Sequence, residues 1–185
     1  VRGGVGGDAD GSCSVLVCDH VIWELARSVS LTGTFVLWTV QTGDETGGVT
    51  RLVEMGVEQY VVSEGLSGVI AQRLARRLCL YCREAYEPSD DLLESLELPL
   101  ESDPRTFFRA TGCQHCTSGY RGRIGVFQFL IVDDSLRALI ASGASHDAIV
   151  RAATDAGMGS LWSDGLGKVE AGAISVEELH RVVPR

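Results

Sequence analysis

No apolar stretch in this chain approaches the roughly twenty residues that a helix needs to cross a bilayer. The longest runs are FVLWTV and VLVC, so nothing is expected to anchor it in lipid and it reads as soluble. No secretory leader is read in these residues, so a disulfide framework is not the expected use of the six cysteines. Positive charge is in deficit: 16 basic residues face 25 acidic ones, and the net charge of −9 opposes non-specific attraction to nucleic acid or anionic headgroups. A DNA-binding finger is therefore a poor description of it. Also missing is a phosphate loop. The glycine-rich GGVGGDADGS has no Gly-Lys-Ser/Thr ending, whose lysine and hydroxyl would meet phosphate and magnesium.

What is present is more specific. Four of the cysteines form two Cys-x-x-Cys pairs, Cys79/Cys82 and Cys113/Cys116, with thirty residues between the pairs. Two thiolates at that spacing face a common centre from one turn, and two such turns make a tetrahedral sulfur cage of the kind zinc occupies. The intervening loop is longer than usual, but its closure entropy grows only by about 0.6 kcal/mol per doubling. Structural zinc contributes about 10–16 kcal/mol in small peptides, so the ion outweighs the loop. A redox pair needs only one Cys-x-x-Cys, and unmetallated thiols are the remaining reading. Softness and tetrahedral preference favour zinc, with iron the alternative ion. His115, a middle residue of CQHC, is expected to point to solvent. Reduced, metal-ligating cysteines without an export signal place the chain in the cytoplasm.

With 185 residues and 45% hydrophobic composition, one core of ordinary size plus a small satellite held by metal is affordable. Residues 1–14 are glycine-rich and aperiodic, the composition of a flexible segment. Val15–Cys18 reads as a short buried strand, 21–29 as a helix and Phe35–Val40 as a second buried strand, which together argue for a parallel crossover unit. Residues 46–55 read as a helix with Val49, Leu52, Val53 and Met55 on its apolar face and Gly56 at its end. Between Val57 and Val62, and between Val69 and Leu74, periodicity decides for neither strand nor helix. Residues 83–109 form an acidic excursion between the knuckles. GYRGRIGVFQFLIV then offers a turn and a hydrophobic strand, and the remaining helical periods, broken at Gly143, Gly157, Gly165 and Gly172, predict a small bundle.

Over roughly residues 15–182 the sequence resembles the GspE/PulE/PilB family of type II secretion and type IV pilus assembly ATPases. The likeness is carried by SLTGTFVLWTVQTGDETGGVTRLVEMGVE, GVIAQRLARRLCLYC, GCQHCTSGYRGRIGVFQFLIVDD and GMGSLWSDGLGKVEAG. The pairing of AQRLxRxLCxxC with GCxxCxxxGYRGRxG is the specific part. The resemblance implies an α/β fold: the second half of a RecA-like ATPase core at 15–78, a four-cysteine zinc subdomain at 79–124, and a C-terminal strand and helical region at 125–185. It implies ATP and magnesium as family cofactors, a homo- or hetero-hexamer of motor subunits, an inner-membrane platform protein as partner, and peripheral placement at that membrane. Cys79, Cys82, Cys113 and Cys116 carry over as zinc ligands.

No catalytic residue carries over. Where the family has G-E-I-R-D around its acidic Walker B residue, this chain has Val15-Leu16-Val17-Cys18-Asp19, and where it has S-T-L-H-T-N-D this chain has Trp38-Thr39-Val40-Gln41-Thr42-Gly43-Asp44. Glutamine keeps a hydrogen-bonding group but cannot carry charge near neutral pH. With the phosphate loop missing as well, the chain alone is expected not to hydrolyse ATP. Arg73, Arg76 and Arg77 would share one face of a helix, either solvated or touching nucleotide phosphate or a neighbouring subunit. Arg121 and Arg123 are read in the same two ways. Asp19 and Asp44 read as capping or turn residues, Cys13 and Cys18 as small thiols, and His20, His146 and His180 as isolated. Two functions fit: a segment or degenerate member of a secretion motor, a start at Val1 being compatible with a truncated product and equally with an alternative start codon, or a non-enzymatic zinc-stabilised module docking to the motor or its platform.

Overall fold

The computed structural model of the protein describes residues 5–7, 12–16, 35–39, 47–100 and 105–184. Strands β1 (Val5–Gly7), β2 (Ser12–Leu16) and β3 (Phe35–Thr39) form one sheet in that order. β1 runs antiparallel to β2, and β2 runs parallel to β3 with Val15 opposite Trp38, the parallel pairing that a crossover produces. Two expectations fail here. Val5–Gly7 and Ser12–Ser14 are strand rather than flexible chain, and β3 is not a fully buried strand, since Leu37 is 50% exposed. The helix expected at 21–29 and residues Cys18, Asp19, His20, Gln41 and Asp44 lie outside the described residues.

Helix α1 (Gly48–Glu54) buries Val49 and Leu52, and Gly56 follows at φ 89°, a left-handed position that only glycine adopts without strain. Helix α2 (Gln59–Gly65) and the long strand β4 (Gly68–Leu78) resolve the two ambiguous stretches, one each way. Exposure in β4 alternates residue by residue from Gly68 to Leu74, which is the period of a strand. Past the first knuckle come β5 (Glu84–Tyr86), helix α3 (Asp90–Ser95) and β6 (Phe107–Arg109), with β5 and β6 antiparallel. The acidic excursion therefore carries structure: Leu93, Leu96 and Phe107 are buried while Asp90 and Asp91 occupy the first turn of α3, where the helix dipole favours them.

Strand β7 (Tyr120–Ile131) pairs with β4. The Val132 N–H donates to Ser67 O and the Cys79 N–H to Gly119 O, so the pair is antiparallel and one end of it meets the cysteines. Four helices follow, α4 (Asp134–Ala141), α5 (His146–Asp155), α6 (Leu161–Glu170) and α7 (Val176–Val182). Asp133, Ser145, Ser160 and Ser175 cap them, each accepting from a backbone N–H three residues on.

By compactness the chain forms two units, each assembled from two stretches: residues 1–70 with 129–158, and residues 71–128 with 159–185. The last four helices are thus not one bundle, because α4 and α5 belong to the first unit and α6 and α7 to the second. In the first, Val49, Leu52, Val62 and Leu66 pack with Leu136, Ile140 and Ile149. In the second, Ala75, Phe107 and Val126 pack with Leu161, Val169, Ile174 and Leu179. Gly165 does not break a helix as expected. It lies inside α6, where any Cβ would run into Leu179 Cδ1. Among the described residues no helix is long and apolar enough to cross a membrane.

Candidate metal centre

Each knuckle is a single turn. The Cys82 and Arg83 N–H groups donate to Cys79 O at 3.3 and 2.9 Å, and the Cys116 N–H donates to Cys113 O at 3.3 Å. Gly119, at φ 84°, brings the second knuckle back against the first; a Cβ there would lie 2.5 Å from that of Ala110. Its carbonyl takes the Cys79 N–H at 2.8 Å, tying the start of one knuckle to the exit of the other.

The four thiols converge. All four Sγ atoms lie within 4.8 Å of one another. Cys79 and Cys113 are 3.9 Å apart, Cys82 and Cys116 3.7 Å, and Cys113 and Cys116 3.7 Å. A tetrahedron of sulfurs about 2.3 Å from a central ion has edges of about 3.8 Å, whereas a disulfide would bring two sulfurs to about 2.05 Å. The donor set and its spacing therefore fit a tetrahedral metal ion and not a pair of disulfides, and all four cysteines are free. Cys79 is buried and the other three are partly so. The Cys113 N–H also donates to Cys116 Sγ at 3.2 Å, the sort of contact that stabilises a thiolate.

Metal-free, the thiols hold their protons unequally. Burial pushes Cys82 up, but the Gly112 N–H, the Thr111 hydroxyl and the neighbouring thiols outweigh it and bring Cys82 down to about 7. At Cys113 the His115 N–H lowers, while burial and the other three cysteines raise, leaving it pushed up to about 12. A metal ion takes up the charge that makes four adjacent thiolates costly, which is why such a cage releases protons when it loads. His115 is exposed, as expected, and packs at a tilt against Tyr81 with ring centroids 5.0 Å apart rather than joining the thiols.

The three arginines ahead of the cage do not share a face. β4 is a strand, so Arg76 points opposite to Arg73 and Arg77. Arg76 is committed: its backbone N–H donates to Glu178 Oε1 at 2.6 Å, and its Nε and Nη2 donate to Oε2 at 2.9 and 2.7 Å. Arg181 adds Nε to Oε2 at 2.8 Å and Nη2 to Oε1 at 2.5 Å. The Glu178 carboxylate is wholly buried, while both guanidinium groups are about half exposed. Arg73 is partly buried in β4, and Arg77, Arg121 and Arg123 are exposed. His146 meets Thr50 Oγ1 at 3.3 Å, and His180 packs at a tilt against Trp162.

Glu178 is the residue that sequence reasoning overlooked. Ser175-x-x-Glu178 has the form of a capping box, in which the glutamate would turn back to its own helix start. Only the serine half forms, the Glu178 N–H donating to Ser175 Oγ at 3.3 Å, and the carboxylate goes to Arg76 instead.

Over residues 17–181 the chain matches the family described as type II/IV secretion system protein. It is 44% identical over 163 residues to the type II secretion system ATPase E of Vibrio cholerae, covering 86% of this chain and 31% of that one. It is 41% identical over 165 residues to the type II secretion system protein E of Pseudomonas aeruginosa, covering 89% and 32%. To the type IV pilus assembly ATPase PilB of Thermus thermophilus it is 37% identical over 158 residues, covering 84% and 18%. The chain thus spans about a third or less of these relatives' length. Among solved structures, the pilus retraction motor PilT with bound ADP superposes with a TM-score of 0.59 at 16% identity, covering 93% of this chain and 40% of that one. The Legionella pneumophila ATPase DotB gives 0.57 at 16% identity, covering 91% and 37%. At that identity the likeness is one of fold, an α/β RecA-like ATPase fold.

Proposed function

Because the chain belongs to the type II/IV secretion system protein family, we propose that it is a part of a secretion or pilus-assembly motor ATPase whose four cysteines hold zinc and which alone does not hydrolyse ATP. The observation that carries this reading is the four-thiol cage inside the matched region, three of its edges 3.7–3.9 Å long and all its sulfurs within 4.8 Å of one another. Zinc would be held by Cys79, Cys82, Cys113 and Cys116 and would act structurally, as four-coordinate sulfur sites do. Its chemistry is to neutralise the thiolates and cross-link the two knuckles. Iron is the less favoured occupant of the same donors.

The absence of turnover follows from the residues present. No Gly-Lys-Ser/Thr loop occurs in the 185 residues, Leu16 stands at the acidic position of the strand that resembles Walker B, and Gln41 stands for the box histidine. Of the arginines suggested for nucleotide or subunit contact, Arg73 and Arg77 keep that role here, since Glu178 occupies Arg76. Assembly into a hexamer of motor subunits, contact with an inner-membrane platform protein and a cytoplasmic, membrane-peripheral location complete the proposal. Isothermal titration of the purified chain with ATP and magnesium, alongside a phosphate-release assay, tests it. No turnover is expected, and sustained release of phosphate above the buffer rate overturns the claim of inactivity.

A further inference from the structure

We propose that the four-cysteine cage and helix α7 are one coupled element: an ion in the cage holds the buried clamp that orders the C-terminal helix, and the clamp in turn tightens the cage. The inference rests on the reading that the cage takes zinc, and concerns what zinc there controls.

The contacts made by residues 172–178 carry it. The Arg83 guanidinium donates to Gly172 O, and Arg83 directly follows the ligand Cys82. The Leu78 N–H donates to Ala173 O at 2.8 Å, and Leu78 directly precedes the ligand Cys79. The Tyr120 hydroxyl meets Ser175 Oγ at 3.0 Å, and Tyr120 follows Gly119, whose carbonyl holds the Cys79 N–H. Arg76, three residues before Cys79, places its guanidinium 4.2 Å from the Tyr120 ring centroid and closes on buried Glu178. Every one of these ties lands on a residue within four positions of a cage cysteine. Ser175 is also the N-cap of α7, so the Tyr120 contact bears on the residue that starts the helix.

At seven residues α7 is too short to persist by its own propensity and depends on what fixes it. What fixes it is Leu179 and Val182 in the core and Glu178 in the clamp. The clamp's geometry requires β4 and β7 to stay in register beside the knuckles, because Arg76 and Tyr120 come from different strands. An ion that joins Cys79 to Cys113 and Cys116 pins that register. Linkage is reciprocal, so whatever zinc gives to α7, the clamp gives back to zinc.

The experiment uses the whole chain and zinc itself. Elemental analysis first establishes loading; a chain that takes up no zinc overturns both the zinc reading and this coupling. With zinc bound, hydrogen–deuterium exchange is compared before and after chelation. Protection of residues 174–183 is expected to fall at least about tenfold, while residues 49–66 in the other unit hold theirs. A change at 174–183 of less than about twofold overturns the coupling and leaves the zinc reading intact. If chelation instead unfolds the chain throughout, the reciprocal arm decides: Glu178→Gln, kept loaded, is expected to bind zinc at least about tenfold more weakly in competition with a chelating dye. Ser145→Ala, which removes a cap in the other unit, is the control and is expected to leave zinc affinity unchanged. A Glu178→Gln affinity within about twofold of the parent chain overturns the proposal.

Discussion

Among the described residues the two compact units have apolar clusters of similar size, yet they are closed differently. Among the described residues the first gathers eleven buried hydrophobic residues around Leu52, Leu66 and Leu136, and its long-range polar ties, such as Arg137 to Ser63 O and His146 to Thr50, are accessory. The second gathers twelve around Phe107, Leu161 and Leu179, and adds four converging thiols and a wholly buried carboxylate. Apolar packing tolerates adjustment, because it is non-directional and scales with area. Sulfur cages and buried ion clusters do not, since each group left without its partner carries its full desolvation cost. The second unit should accordingly fail abruptly and the first gradually.

The largest contrast is expected from the cysteines. Replacing Cys79 and Cys113 by serine removes two of four ligands, and with structural zinc contributing about 10–16 kcal/mol, as much as a whole domain's usual stability of about 5–15 kcal/mol, cooperative folding of the second unit should be lost. Exchange at residues 49–66 should stay slow. Comparable loss of protection in both units would show that the division of labour is wrong. Next comes Glu178→Ala. Breaking a buried pair costs about 3–5 kcal/mol, and because Arg76 and Arg181 are half exposed and can rehydrate, the lower end is expected in urea unfolding.

The same carboxylate sets a pH dependence in the second unit. Burial raises the Glu178 pKa, but the hydrogen bonds from Arg181 and Arg76 overcome it and lower it from 4.5 to about 2. A depressed folded pKa gives stability that is complete above the unfolded value and disappears as pH falls from about 4.5 toward about 2. The difference in stability between the parent chain and Glu178→Gln should therefore shrink over that window by up to about 3 kcal/mol. A difference flat across the window would contradict the clamp. The smallest contrast is between two caps: Ser145→Ala should cost about 1 kcal/mol, and Ser175→Ala about twice that, because Ser175 also meets the Tyr120 hydroxyl.

What could be read in advance follows from distance along the chain. The cage was legible because each half is a local Cys-x-x-Cys turn, and only its closure over thirty residues had to be supplied by the fold. The apolar face and glycine end of α1 were legible for the same reason. The face that Arg73, Arg76 and Arg77 would share exists only in a helix, and periodicity left that stretch open; pairing with residues about fifty positions later makes it a strand, so tertiary pairing decided it. Glu178 was invisible, since its partner Arg76 lies 102 residues away and its local pattern suggests a capping box. Gly165 looked like a break because a missing side chain reads the same whether the chain turns there or a neighbour's Leu179 fills the space.

The account stands on a metal ion stapling the second unit, and the most direct measurement is metal content together with thiol reactivity on natively purified chain. One zinc per chain is predicted, with no more than two of the six cysteines reacting until a chelator is added. A chain free of stoichiometric metal, whose cage thiols all react at once, would contradict it.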